Sequence, residues 1–400
     1  LPPSVNHETH EWGYVAYRDG RLFGTATTRE LIAQQIRRRG NPGDAATDAI
    51  FAVDPETGKH LWTYQGKSID FETVALGPDR VFFIDSSVTS EEREQILRQD
   101  KTELKSLTGE AAKLAEERMK KLDVRLAVAV DAVTGDVLWK KPVDVTDCSG
   151  IGIGGGKLTL MYQNDTLVLC GANANGHYWK QFIAGEFKRR RLVALSASAG
   201  YKLWSKDANY RHRPIIVGRR VIAEPWSFDL FTGEQETRLH PLTGEEVPWS
   251  FARPGHHCGM TVGSDKMLVF RSGFTGFYDL KNDSGTRHFA GHRLGCWINA
   301  IPTNGLVVMP EASLGCIFMF SISSTIVMEP REPRRPWTLF SQTGPATPVR
   351  QLALNFGAPG DRRDQSGKLW LSWPRPSGKP RNPATDNTSL RLNLDVETTF

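Results

Sequence analysis

An eleven-residue phrase recurs along this chain and constrains its fold more than any single residue does. It reads Ala52-Val-Asp-Pro-Glu-Thr-Gly58-Lys-His-Leu-Trp62, then Ala129-Val-Asp-Ala-Val-Thr-Gly135-Asp-Val-Leu-Trp139. A degraded copy runs Ala194-Leu-Ser-Ala-Ser-Ala-Gly200-Tyr-Lys-Leu-Trp204, with fragments at Asp229-Leu-Phe-Thr-Gly233 and at Pro241-Leu-Thr-Gly244-Glu-Glu-Val-Pro-Trp249. Asp or Ser ahead of a glycine is turn chemistry: the side chain accepts bonds from turn amides, and Gly takes positive φ without steric cost. The flanking apolar runs have strand composition. Each copy therefore predicts a strand, a tight turn and a second strand closed by Trp.

Successive Trp residues are 77, 65 and 45 positions apart. Two insertions account for the excess. Thr89–Asp123 opens with the capping-box pattern Thr89-Ser-Glu-Glu92, and its apolar residues Ile96, Leu97, Leu104, Leu107, Ala111, Leu114 and Leu122 recur at helical spacing. With Thr108-Gly109 as a break, it predicts a helical hairpin over 89–123. A loop insertion is predicted over 171–191. Removing both leaves a unit of about 42–45 residues, the size of a four-stranded propeller blade. Further hairpins, Thr73–Ile84, Ile215–Ile222, Cys258–Phe270 and Trp297–Met309, supply the inner strand pairs. The fold class read from this pattern is all-β: a propeller over 1–330 with about six blades visible. A β-sandwich with accidental repeats is the competing architecture.

The Ala-x-Asp-x-x-Thr-Gly-x-x-x-Trp phrase resembles the tryptophan-docking motif of pyrroloquinoline-quinone-like (PQQ-like) β-propellers. The resemblance implies 6–8 blades in a closed ring, each Trp packing on the neighbouring blade's motif, with Trp62, Trp139, Trp204, Trp249, Gly58 and Gly135 as structural positions. The stretch from His256 to Pro330, with Phe270-Arg-Ser-Gly-Phe-Thr-Gly-Phe-Tyr-Asp-Leu280, also resembles large secreted planctomycete PQQ-like repeat proteins. Neither resemblance implies an activity, because fold and function separate easily.

The 400 residues suffice for a propeller and a small second region. After Pro330 the composition changes. Arg331–Pro336 reads as a linker, Gln351–Asp364 and Lys368–Trp373 as two strands around a polar loop, and Leu390–Val396 as a last strand. Residues 331–400 are thus expected to form part of a β-sandwich or a tail wrapping the propeller. With 50 basic and 45 acidic residues, the net charge of +5 is no nucleic-acid footprint. The run Phe187-Lys-Arg-Arg-Arg191 reads as a solvated loop. No apolar stretch reaches the ~18–20 residues of a membrane helix. Beginning Leu-Pro-Pro without Met and stopping at Phe400, the chain reads as a trimmed segment of a larger, exported protein, periplasmic or extracellular.

Five cysteines add to the export reading. Aligned on their hairpin turns, Cys148, Cys258 and Cys296 fall at nearly the same strand position, with Cys170 and Cys316 following two of them by 22 and 20 residues. Disulfides Cys148–Cys170 and Cys296–Cys316 are expected in an oxidising compartment, with reduced buried thiols the alternative. Cys258 is left over beside His256 and His257. Alternation puts His256 and Cys258 on one strand face, half of a divalent metal site, or a packed thiol beside a hydrogen-bonded imidazole.

The same region holds His257, Arg271, Tyr278, Arg293, Trp297 and Asn299. Such a set can bind an acidic sugar, with Arg neutralising a carboxylate and His257 and Tyr278 moving a proton. Trp297 and Asn299 are candidate binding residues; ordinary inter-blade packing is the alternative. Three functions compete. The first is an exported binding or scaffold propeller for a protein partner or acidic polysaccharide, without a cofactor. The second is a lyase on uronic-acid polymers using His257, Tyr278, Arg271 and Arg293. The third is a PQQ- and calcium-dependent dehydrogenase, disfavoured because the vicinal Cys-Cys pair that stacks on PQQ in that family is lacking.

Overall fold

The computed structural model describes residues 1–30, 47–151, 155–172, 181–182, 184–251, 253, 258–289, 292–295, 299–310, 324–331, 337–338, 340 and 351–373. Among the described residues, antiparallel units labelled blades 1–6 follow one another to Arg331. Blade 1 comprises β1 (His10–Arg18), β2 (Arg21–Thr28), β3 (Thr47–Val53) and β4 (His60–Ile69). Blade 2 comprises β5 (Ala75–Leu76), β6 (Arg80–Asp85), β7 (Val124–Asp131) and β8 (Val137–Asp144), joined to blade 1 by the single pair Ile69–Asp85. Blade 3 is the antiparallel sheet of β9 (Gly155–Gln163), β10 (Thr166–Ala172), β11 (Arg191–Ser196) and β12 (Lys202–Asp207).

Blade 4 holds β13 (Ile215–Val217), β14 (Arg220–Ala223) and β15 (Trp226–Asp229), with a bridge from Trp226 to Ser250 in the place of a fourth strand. A hairpin of β16 (Thr237–Leu239) and β17 (Glu246–Pro248) interrupts it before that bridge. Blade 5 is four-stranded: β18 (Val262–Gly263), β19 (Met267–Ser272), β20 (Phe274–Asp279) and β21 (Thr286–Phe289). Blade 6 shows β22 (Ile301–Thr303), β23 (Leu306–Met309) and β24 (Ile326–Met328). Among the described residues no later strand pairs with blade 1, so closure of the ring is not part of the described structure.

Alternation of side chains turns each sheet into a spacer between two cores. In β6, Val81 and Phe83 pack toward blade 1 with Trp62, Leu126 and Val128, whereas Phe82 and Ile84 pack toward blade 3 with Trp139, Leu158 and Leu167. The pattern repeats in β10, where Leu167 and Leu169 face blade 2 while Val168 and Cys170 face blade 4. In β19, Leu268 and Phe270 face blade 4 and Val269 faces blade 6. The outer face of blade 1, Ala26, Ala49 and Phe51, is packed by Leu1 and Val5 from the start of the chain.

The recurrent phrases act at the junctions between these sheets. Asp54, Asp131 and Asp229 each accept two turn amides on Oδ1, at 2.7–3.0 Å. The indole of Trp62 donates to Ala132 O at 3.1 Å, Trp139 to Ala197 O at 3.0 Å and Trp204 to Leu230 O at 2.9 Å. In each case the acceptor directly follows the turn's Asp or Ser. The ring lies on the turn glycine: a Cβ on Gly135, Gly200 or Gly233 would come within 2.6–2.7 Å of the docked indole, and all three have φ of +70 to +78°. Gly58 has the same turn conformation, at φ +67°, but nothing lies within 4 Å of its Cβ position.

Several expectations change. The turn at Pro241–Gly244 does not dock a Trp; Gly244 stands open at the tip of the inserted hairpin, and it is Gly233 that receives Trp204. Trp249 docks differently, donating to Asp283 Oδ1 at 3.1 Å and meeting Tyr278 edge-on at 5.7 Å. Cys148 and Cys170 are buried free thiols, not a disulfide. Cys148 belongs to the core between blades 2 and 3 and Cys170 to the core between blades 3 and 4, so the two face opposite sides of one sheet. Cys296 and Cys316 lie outside the described residues. The basic run is not a solvated loop either. Phe187, Arg190 and Arg191 are buried, with Arg190 stacked 3.8 Å from the Phe187 ring and Arg191 paired to Asp144 at 2.6 Å. Burial brings Arg190 down to about 10.

The helical insertion forms as expected, α1 (Ser90–Leu104) and α2 (Gly109–Lys120). Its capping box is reciprocal: Thr89 N donates to Glu92 Oε2 at 2.7 Å and Glu92 N to Thr89 Oγ1 at 3.2 Å. Arg118 ties α2 to Asp147 at 2.8 Å and to Asp207 of blade 3. After Pro330, β25 (Ala353–Phe356), β26 (Arg362–Arg363) and β27 (Leu369–Trp373) form a sheet whose β25–β27 pairing is parallel. Its Leu369 and Leu371 cluster with Phe340 and with Leu242 from the hairpin of blade 4. The strand expected at 390–396 lies outside the described residues.

Candidate functional site

Blades 5 and 6 carry the residues singled out for chemistry. His256, His257 and Trp297 lie outside the described residues, whereas Cys258, Arg271, Tyr278, Arg293 and Asn299 are described. The register of blade 5 separates two of them. Leu268 pairs with Tyr278 on the face toward blade 4, while Arg271 pairs with Thr275 on the face toward blade 6, where Thr275 Oγ1 meets His292 Nδ1 at 3.1 Å. Tyr278 and Arg271 therefore do not converge on one substrate.

Tyr278 is fully buried, and its hydroxyl donates to Asp283, which also receives Arg238 at 3.1 Å and the Trp249 indole at 3.1 Å. Burial first, and then the Asp283 charge, push the phenol far above its usual range. A phenol so placed locks the junction between blades 4 and 5. His288 is partly buried: its Nε2 lies 2.8 Å from Ser272 Oγ, and burial lowers it to about 4.

A second polar cluster gathers where the chain passes between blades 4, 5 and 6. Glu224, 3% exposed, takes Arg211 on Oε1, while Arg253 donates through its backbone N to Oε1 and through Nε to Oε2, both at 2.9 Å. Arg253 Nη1 and His212 Nε2 meet at Gly259 O, at 3.1 and 3.0 Å. Met260 N donates to Asn299 Oδ1 at 3.1 Å. Burial lowers Arg253 despite Glu224, and the neighbouring Arg211 charge lowers it further. The expected binding residue Asn299 thus clamps the backbone beside Cys258. Sequence reasoning missed Arg211, Glu224 and Arg253, because separations of 13 and 29 residues carry no periodic signal.

Cys258 is buried. Of the metal pair His256–Cys258 only the cysteine is described, and among the described residues no group of three His, Cys, Asp or Glu side chains converges. No helix of the described residues is long and apolar enough to cross a membrane.

No protein-family model matches the chain, and no curated protein matches it. Similar solved structures are propeller proteins and propeller-bearing enzymes. BamB from Moraxella catarrhalis is 11% identical over 80% of this chain and 70% of its own, with a TM-score of 0.37. The β-propeller domain of the Trilobed protease from Pyrococcus furiosus is 7% identical over 75% and 78%, at 0.38. Quinohemoprotein alcohol dehydrogenase from Comamonas testosteroni is 12% identical over 74% of this chain and 50% of its own, at 0.34. Likeness at this level carries no argument by itself; the assignment of blades rests on the docking geometry and the alternating cores above.

Proposed function

We propose that this chain is a β-propeller-type binding or scaffold module, exported, acting on a protein partner and without bound PQQ. The observation that carries the reading is the use of blade 5. Tyr278, placed where a proton-transfer group was expected, is enclosed between Trp249, Arg238 and Asp283, so blades 4 and 5 spend their polar groups on rigidity. What the rigid core holds outward is the helical hairpin. No side chain of α2 is buried, and the hairpin borders a cavity of about 350 Å³ lined by Leu107, Leu114, Met119 and Asp207 among others. A hairpin anchored through Ile96 and Arg118, with its second helix unburied, suits protein recognition.

The test replaces residues 90–121 with a short turn and compares both proteins by in-cell cross-linking in the exporting host. The expected result is loss of cross-linked partner in a protein that stays folded by circular dichroism, with a thermal midpoint lowered by the loss of Ile96 and Arg118. Identical cross-linking patterns would refute the assignment. The uronate-lyase reading has less support because Tyr278 and Arg271 lie on opposite sheet faces. Absorbance of unsaturated uronate, followed over a panel of acidic polysaccharides, decides it.

A further inference from the structure

The register that places Trp in the early blades places an arginine in blade 5. Trp62, Trp139 and Trp204 pair with Ala52, Ala129 and Ala194, each two residues before the Asp or Ser that opens the docking turn. In blade 5 the corresponding residue is Phe277, two before Asp279, and its partner is Arg287. Asp279 opens a related turn, accepting the i+3 amide of Asn282 at 3.0 Å on Oδ1 but the Ser284 Oγ at 2.9 Å on Oδ2, with Asp283 in the place of the turn glycine. Where an indole should cross to blade 6 there is a guanidinium.

Among the described residues, none fills the space the indole would occupy from the other side. A cavity of about 1050 Å³ lies between blades 5 and 6, lined by Phe277, Arg287, Phe289, Leu306, Val307 and Met328 among others. Its far wall includes Glu329–Arg331, which continues β24 as the docking turns continue the third strands of blades 1–3. Glu329 is paired with Arg331, and both oxygens of Asp279 are bonded within its own turn. Arg287 feels the Asp279 charge but forms no close ion pair among the described residues, and its Nε is buried with no hydrogen-bond partner. Phe289, on the same strand face, is 48% exposed. A largely apolar cavity with an unbonded guanidinium nitrogen on its wall, beside Asp265, Lys266 and Asp279, suits a ligand whose anionic group satisfies that donor.

We propose that the junction between blades 5 and 6 binds a small aromatic carboxylate. The ring occupies the space that Trp62, Trp139 and Trp204 fill elsewhere, against Phe277, Phe289 and Met328, and the carboxylate pairs with Arg287. This site is independent of the proposed partner-binding arm, so either assignment stands if the other fails.

The probe is indole-3-acetate, titrated calorimetrically into the full chain, with indole-3-acetamide as the neutral match. The acid binds with 1:1 stoichiometry and the amide at least tenfold more weakly. Arg287→Gln lowers affinity for the acid at least tenfold and removes the discrimination, because it deletes the charge without adding bulk. Arg287→Trp removes the cation and puts an indole where the ligand's ring would lie, and abolishes binding. Equal affinities for acid and amide, unchanged affinity in Arg287→Gln, or no heat at millimolar acid would each overturn the assignment. The acid–amide comparison needs only the unmodified chain, so it decides even where a variant fails to fold.

Discussion

The junction between blades 2 and 3 and the junction between blades 5 and 6 are built on one strand register and end in opposite ways. At the first, Trp139 crosses to the neighbouring turn, bonds Ala197 O and lies on Gly200. At the second, Arg287 stands in the same register, makes no close ion pair among the described residues and faces a cavity. The same pairing of third and fourth strands thus carries either a closed, dry contact or an open, charged one. The strand pairing maintains the spacing between sheets, and the side chain at one position decides whether the gap is filled. Regular blades hold the stack together; departure from the repeat is where a small ligand finds room.

The largest expected effect follows from emptying a filled junction. Trp139→Ala removes an indole that is 9% exposed, with its hydrogen bond, and is expected to cost about 3–5 kcal/mol, read as a lowered urea midpoint. The matching Arg287→Ala change should cost little, since no bond or packed core is lost. Equal losses at the two positions would erase the distinction between junctions.

A finer probe compares two glycines of like conformation. Gly135 and Gly58 have φ of +78° and +67°, so a valine strains both backbones similarly. Only Gly135 carries a docked ring. Gly135→Val is expected to lose roughly 2 kcal/mol more than Gly58→Val, because overpacking adds to the shared strain. Indistinguishable midpoints would mean that the docked indole contributes nothing beyond turn conformation.

The last effect concerns pH. His288 is lowered by burial to about 4 in the fold, against about 6.5 for a free imidazole. The unfolded chain therefore binds the proton first. Stability is fully present above about pH 6.5 and is lost as pH falls toward 4, by roughly 3 kcal/mol at most. Thermal midpoints taken from pH 7 to pH 4 should fall, and His288→Asn should flatten the curve. An unchanged slope in that variant would assign the acid sensitivity elsewhere.

Much of the fold was legible because it is local. The Asp-to-Gly turns, the strands around them, the capping box at Thr89–Glu92 and the helix break before Gly109 all depend on residues a few positions apart. Subtracting the insertions recovered the blade period for the same reason. The site was far less legible. Tyr278 and Arg271 looked like partners in sequence, yet a seven-residue separation across a hairpin put them on opposite faces. Cys148 and Cys170 were misread likewise, since equal placement around a turn says nothing about which core each thiol enters. Arg287 was readable in principle: aligning on Asp279 rather than on Trp reveals the substitution.

By itself, then, the sequence determined the repeating unit, its turns, its helical insertion and the residues able to dock, because hydrogen bonding within a turn and alternation along a strand are short-range. Only the tertiary structure decided which turn receives which Trp: Gly233 takes Trp204, the turn at Gly244 takes none, and Trp249 goes to Asp283. It also decided which buried arginines share Glu224 and which junction stays open. Those outcomes depend on how successive sheets stack face to face, and stacking brings together residues whose distance along the chain carries no information about their distance in space.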